Sequence, residues 1–163
     1  MKGWLESKIK TIDENGTQIL QMPNSVNFVV VTKDKYVILG EQLRMGIVMK
    51  NCLGGYIEDG EDIDLALCRE MEEETNITSK DILFVEYVYK NKYVSVGYTT
   101  ERNSLAIVRT MRTLKELTGI MKCNDTKENI TFSPIHFSKI DYLNTLGLKT
   151  EIALNFIKNM FTE

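Results

Sequence analysis

The 163-residue chain has a formal net charge of −3, three cysteines and a single histidine. That charge argues against bulk nucleic-acid or anionic-membrane binding. The scattered Cys52, Cys68 and Cys123 with the lone His136 argue against a disulfide framework or a zinc site. The length suits one domain spanning residues 1–163, and no apolar run is long enough for a membrane span or signal core, so a cytoplasmic protein is expected.

Trp4–Ile12 and Thr17–Met22 flank Asp13-Glu14-Asn15-Gly16, and Asn-Gly between alternating runs predicts a hairpin within an N-terminal extension, residues 1–24. Val26–Thr32 and Tyr36–Gln42 predict a second hairpin over Lys33-Asp34-Lys35, with the Phe28–Val31 run marking a strand buried on both faces. Arg44–Cys52 reads as a strand leading into Gly54-Gly55. Beyond Asn76, Ile82–Tyr89 and Tyr93–Thr99 predict a third hairpin over Lys90-Asn91-Lys92, and Ser104–Thr113 a further strand. Leu114–Glu128 is polar and irregular, the kind of loop that carries function. Asn129–Phe137 reads as the last strand. Leu148–Phe161 reads as a closing helix, with Ile152, Leu154, Phe156 and Ile157 placed to pack on a sheet.

The stretch Gly55–Ile77 has the densest chemistry. Asp59-Gly60 is turn chemistry, since glycine takes a positive φ without steric cost, and a helix of about three to four turns follows. Asp62 and Asp64 put negative charge in its first turn, where the macrodipole favours it. Ile63, Ala66 and Leu67 form an apolar stripe that continues as Glu70 and Glu74, with Glu73 beside them and Arg69 on the flank. Each like-charge pair costs roughly 0.2–0.5 kcal/mol. The C-terminal end of the dipole disfavours each anion by about 0.3–1 kcal/mol more. Carboxylates that continue an apolar face border the core or a cleft. A hard divalent cation held by their oxygens removes both penalties, so the helix reads as a metal platform; the plain alternative is a solvated acidic face.

Gly55, Glu61, Arg69, Glu70, Met71, Glu73, Glu74 and Ile77 fall at the spacing G-x5-E-x7-R-E-U-x-E-E-x-G-U (U apolar), and the stretch resembles the Nudix box. Asn76 stands where that family has glycine. The position ends the helix in the left-handed region, where asparagine is the usual second choice. The resemblance implies an α/β/α sandwich with a mixed β-sheet between helices, preceded here by the N-terminal hairpin. It also implies Mg2+-dependent hydrolysis of a diphosphate linkage in a nucleoside diphosphate derivative, with Mn2+ as a substitute. Glu70, Glu73 and Glu74 are the implied metal ligands, joined by the Gly54 carbonyl, since a residue without Cβ lets backbone approach closely. Arg69 is expected to orient the box carboxylates. Glu61 either reaches a second metal or fixes the turn before the helix.

In its flanks the chain is most similar to the ADP-ribose pyrophosphatase branch. Glu41-Gln42-Leu43-Arg44 resembles an E-Q-x-R segment, Leu53-Gly54-Gly55 an L-P-A-G segment, and Gly97–Arg102 a G-x-x-x-E-R segment. Glu128-Asn129-Ile130 resembles the acidic run before the last strand. That likeness implies ADP-ribose as substrate, with AMP and ribose 5-phosphate as products, and a homodimer formed through the N-terminal extension. Arg44 and Tyr98 become candidate substrate-binding residues, against the plain readings of a surface arginine and a packing aromatic. Glu128 is the expected general base, with Glu101 the second candidate and Glu73 the box member of the catalytic set. Departures at Val96, Leu53 and Asn51, and Tyr93 at the spacing seen in relatives that cleave dinucleoside polyphosphates, keep open dinucleoside polyphosphates, NADH or capped RNA. A non-catalytic nucleotide sensor is the third reading, although such sensors usually lack box glutamates.

Overall fold

The computed structural model describes residues 10–14, 17–44, 46–123, 130–143 and 147–161, the side chains of 10–18, 44 and 142 aside. Among them, in chain order, are β1 (Lys10–Glu14), β2 (Thr17–Gln21), β3 (Ser25–Val31), β4 (Tyr36–Arg44), β5 (Ile47–Asn51), β6 (Leu53–Tyr56), α1 (Ile63–Thr75), β7 (Ile82–Tyr93), β8 (Arg102–Thr110), α2 (Leu114–Thr118), β9 (Thr131–His136) and α3 (Leu148–Phe161). No helix among the described residues is long and apolar enough to cross a membrane.

Strand β3 is the centre of a mixed seven-stranded sheet. One edge pairs in parallel with β8, from Ser25↔Asn103 to Val31↔Arg109. The other edge is shared: Ser25–Phe28 pair antiparallel with β6, while Val30 and Val31 pair with β4. The two faces separate by period two. Val26, Phe28 and Val30 pack with Ala106 and Val108 against Ala66, Leu67 and Met71 of α1. Val29 and Val31 pack with Leu105 and Ile107 against Ala153, Leu154 and Ile157 of α3. Each fully buried Val, Leu, Ile, Phe or Met among them contributes about 1.5–3 kcal/mol relative to exposure. The sheet therefore lies between helices, and the expected α/β/α sandwich is the observed architecture.

The N-terminal extension is a two-stranded sheet of its own, β1 with β2, in which Glu14 pairs with Thr17 around Asn15-Gly16. It joins the body through Leu20 N–H to the Tyr98 carbonyl (2.9 Å) and Thr100 N–H to the Leu20 carbonyl (3.0 Å).

Several expected boundaries are corrected. Ile82–Tyr93 is one twelve-residue strand, and the hairpin is formed by β7 with β8, so Lys90-Asn91-Lys92 is no turn. Asn91 does take a positive φ of 56°, but as part of a register shift between Tyr89 and Lys92. The segment Arg44–Cys52 is split, since β4 runs on to Arg44 and folds back into β5. The loop Leu114–Glu128 opens with a helix, started by a capping box in which Thr113 and Glu116 satisfy each other's backbone N–H.

Candidate active site

The segment between β6 and α1 is fixed before the carboxylates are reached. Asp62 caps α1 by accepting from Leu65 N–H at 2.9 Å, and Glu61 closes the preceding turn by accepting from Glu58 N–H at 3.0 Å. The far end of α1 stops at Asn76, which has the left-handed values φ 60° and ψ 16°. Its N–H bonds the Glu72 carbonyl at 2.9 Å, and its side-chain amide bonds the Ile120 carbonyl at 2.9 Å. Asparagine thus does at this position what glycine does in the usual pattern.

Between these ends the acidic stripe turns inward. Glu70 is 9% exposed and Glu74 5%, while Glu73 remains half-exposed. Carboxylates this buried need partners. Arg69 supplies them in a fork: Nε and Nη2 each bond a different Glu61 oxygen at 2.9 Å, and Nη1 reaches Glu70 Oε1 at 2.7 Å and Glu73 Oε2 at 3.3 Å. Nη2 also donates to the Tyr56 carbonyl at 3.0 Å. The bonds from Arg69 hold the Glu61 carboxyl below its ordinary range, and those from Glu61 and Glu70 push the guanidinium further up, so it is charged at every working pH. Glu61 and Arg69 are therefore the scaffold of the group, in line with the orienting role expected of Arg69.

Two glycines bring backbone up to these carboxylates. Gly54 N–H donates to Glu74 Oε2 at 2.6 Å. A Cβ on Gly55 would stand 2.4 Å from Glu70 Oε1, so the Glu70 carboxylate fills the space that any side chain here would need. Gly54 has φ +122°, and a Cβ there would meet the Val26 carbonyl oxygen at 2.1 Å. The two positions should respond differently to alanine. Gly54→Ala is expected to cost about 3 kcal/mol or more in stability, from strain plus a backbone clash. Gly55→Ala should fold near normally but displace Glu70 and lose most activity. Denaturant melts and rates on both variants check this; equal melting points would be the wrong outcome.

Among the described residues, no three His, Cys, Asp or Glu side chains already converge on one point at metal-ligand spacing. The donor chemistry nevertheless fits a hard divalent cation. It consists of carboxylate oxygens, two sets nearly buried, packed against glycine backbone whose missing Cβ lets the Glu70 carboxylate approach.

Glu101 and Tyr98 lie elsewhere, on the segment between β7 and β8. Glu101 follows the loop after β7, on the α3 side of the sheet, where Oε1 accepts from Ser25 Oγ at 2.5 Å and stands 3.8 Å from Lys149 Nζ. Tyr98 is 76% exposed in that same loop. Arg44 ends β4, with its side chain outside the described residues, and Glu128 lies outside them altogether. A set that sequence reasoning passed over joins Glu101: Ser25, Asn27, Tyr89, Asn103 and Lys149 form one hydrogen-bonded chain. Its signal was Asn27, a polar residue inside a strand otherwise read as buried on both faces.

The sequence profile of the NUDIX domain matches residues 22–146, from the end of the hairpin to the last helix. The chain belongs to the NUDIX family. Two solved structures of the same fold resemble it, both at low identity. One is from a structure and function study of MutT from Aliivibrio salmonicida and Vibrio cholerae, with TM-score 0.64, 12% identity, and 85% of this chain and 98% of that chain covered. The other is a NUDIX-family hydrolase from Clostridium perfringens, with TM-score 0.60, 13% identity, and 85% and 97% covered. Among curated proteins none matches in sequence. The acidic group on α1 is thus the NUDIX box, and by its family the protein is a Nudix pyrophosphohydrolase acting on nucleoside diphosphate derivatives.

Proposed function

We propose that the chain hydrolyses ADP-ribose to AMP and ribose 5-phosphate, with Mg2+ bound at Glu70, Glu73, Glu74 and the Gly54 carbonyl, and with Mn2+ able to substitute. The observation that carries the hydrolytic reading is the burial of Glu70 and Glu74 against Gly54-Gly55 while Arg69 holds the flanking carboxylates. A divalent cation bound there supplies neutralisation of phosphoryl oxygens and acidification of a water. The chain's residues do the rest. Arg69 keeps Glu70 and Glu73 oriented, and Gly54 N–H keeps Glu74 in place. Water adds to one phosphorus as the bridging P–O bond breaks, and its proton leaves to a carboxylate, for which Glu128 is the first candidate.

The flanking resemblance supports ADP-ribose. Arg44 and Tyr98 are the residues proposed to contact it, and Gly97–Arg102 resembles the G-x-x-x-E-R segment of that branch. One observation favours the second reading, a dinucleoside polyphosphate, NADH or capped RNA. Tyr93 is 54% exposed, with the Arg102 guanidinium 4.4 Å over its ring and Nη2 bonded to its hydroxyl at 2.6 Å, a stacked pair open to solvent. Phosphate release from a panel of nucleoside diphosphate derivatives, coupled to a phosphatase and run with and without Mg2+, tests the choice. Turnover of ADP-ribose at least about tenfold faster in kcat/KM than the others is the expected result, and the reverse order overturns it.

The base assignment has its own check. Replacing a general base costs about 10²–10⁴ in rate. Glu128→Gln should therefore lower kcat by that order while leaving KM and Mn2+ affinity near normal. If Glu101→Gln does so instead, the base is the residue bonded to Ser25.

A homodimer through residues 4–22 completes the proposal. A two-stranded ribbon is marginal in water without something to cover it, and β1–β2 is such a ribbon, bonded to the body at Leu20 of β2. Light scattering should give a dimer for the intact chain and a monomer for one beginning near Ser25; a monomeric intact chain ends the idea. Among the described residues Cys52, Cys68 and Cys123 form no disulfide, which fits the reducing, cytoplasmic setting proposed.

A further inference from the structure

The Leu53–Gly54 peptide is gripped from both sides. Its N–H donates to Glu74 Oε2 at 2.6 Å, and its carbonyl accepts from Asn27 Nδ2 at 3.2 Å. The Asn27 amide has one orientation available. Its Oδ1 accepts from Lys149 Nζ at 2.9 Å and from Asn103 Nδ2 at 2.8 Å, and an ammonium can only donate, so Nδ2 must face Leu53. Asn103 is fixed in turn, accepting from the Tyr89 hydroxyl at 2.8 Å and donating to Ser25 Oγ at 2.8 Å. Lys149 stands in the first turn of α3 and Glu74 in the last turn of α1, on opposite faces of the sheet. One amide therefore joins the two helices through a single backbone peptide.

We propose that Asn27 is a positioning residue for the NUDIX box, holding the Leu53–Gly54 peptide at the angle that keeps Glu74 in place. The β3–β6 pairing carries this peptide in the sheet, and its tilt there sets how squarely the N–H meets the carboxylate. The Asn27 amide limits that tilt from the carbonyl side, and Lys149 and Asn103 keep the amide from flipping. The proposal rests on the reading of Glu74 as a ligand of a divalent cation and adds to it a support that reaches no metal and no substrate.

Mn2+ binding to the full chain without substrate, followed by electron paramagnetic resonance, tests it on Asn27→Ala and Lys149→Leu beside the unaltered protein. Thermal melts of the metal-free proteins run in parallel. Loss of a supporting hydrogen bond of this kind weakens metal affinity about tenfold. Asn27→Ala should therefore raise the Mn2+ Kd by about that factor and lower kcat with KM unchanged. A purely structural role would lower the melting point and leave the Kd alone. Lys149→Leu should raise the Kd by roughly threefold, although removing a cation by itself favours metal binding. A Kd for Asn27→Ala within about twofold of the unaltered protein overturns the proposal. If that variant does not fold, an unchanged or tighter Kd for Lys149→Leu overturns it instead. No Mn2+ binding by the unaltered chain overturns the metal reading along with this one, whereas binding that Asn27→Ala leaves intact overturns this one alone.

Discussion

Glu74→Gln is expected to lower kcat by about a hundredfold or more, and turnover of the parent is expected to be strictly dependent on Mg2+ or Mn2+. The amide has the shape of the carboxylate, so its oxygen can still accept the Gly54 N–H that now bonds Oε2 at 2.6 Å. What it lacks is the charge that a hard cation requires. In the absence of metal the same variant should be at least as heat-stable as the parent. Glu74 is 5% exposed and shares its end of α1 with Glu70 and Glu73, so removing its charge relieves repulsion and a desolvation cost. Assays with EDTA and with added Mg2+, paired with melts of the metal-free proteins, measure both halves. Full activity in EDTA, or in the Gln variant, would sink the metal site.

The second large effect concerns Arg69, where charge and fold are bound together. Arg69→Met leaves Glu61, Glu70 and Glu73 without their common cation. Removing one partner of a buried pair typically costs about 3–5 kcal/mol; with the Arg69 side chain 25% exposed and screened to that extent, about 2–4 kcal/mol is expected at pH 7. The pH dependence follows from the direction of the Glu61 shift. Arg69 holds the folded carboxyl below its ordinary value of 4.5, so its contribution is fully present above that value and fades as pH falls through the folded one. The stability gap between parent and variant should therefore be widest at neutral pH and close in acid. Arg69→Lys should fall between them, because an ammonium cannot make the two bonds to Glu61 and the bond to Tyr56 from one plane. Urea melts at neutral pH and in steps down to about pH 2 decide it; a gap that does not change with pH would contradict the assignment.

The box was legible because its rules are local. The spacing that sets Glu70 and Glu74 on the apolar stripe is a property of the helix, and both are buried. Asn76 ends the helix in the left-handed region for a reason its own side chain supplies. What escaped depends on partners far along the chain. Asn91 has the backbone of a turn residue yet sits in a strand, because β8 was there to pair on either side of it. The start of α2 was written in Thr113 and Glu116, a capping pair set in a stretch otherwise too polar to suggest a helix. Asn27 gave only the hint of a polar residue in an apolar strand; Asn103 and Lys149, which make it useful, are 76 and 122 positions away.

The parallel pairing of β3 with β8 has a consequence for the way the molecule comes into being. Ser25 and Asn103 lie 78 positions apart, so the central strand cannot close on its neighbour until most of the chain is available. Contacts that distant are entropically expensive to form, and they set the pace of folding. The box helix is complete by Thr75, well before β8 begins at Arg102, so α1 must wait on half a sheet. During that interval Val29 and Val31 have no β8 beside them, leaving apolar strand surface open to the wrong neighbour. Substitutions that weaken β8 are therefore expected to slow folding, although β8 lies well outside the residues that perform the chemistry.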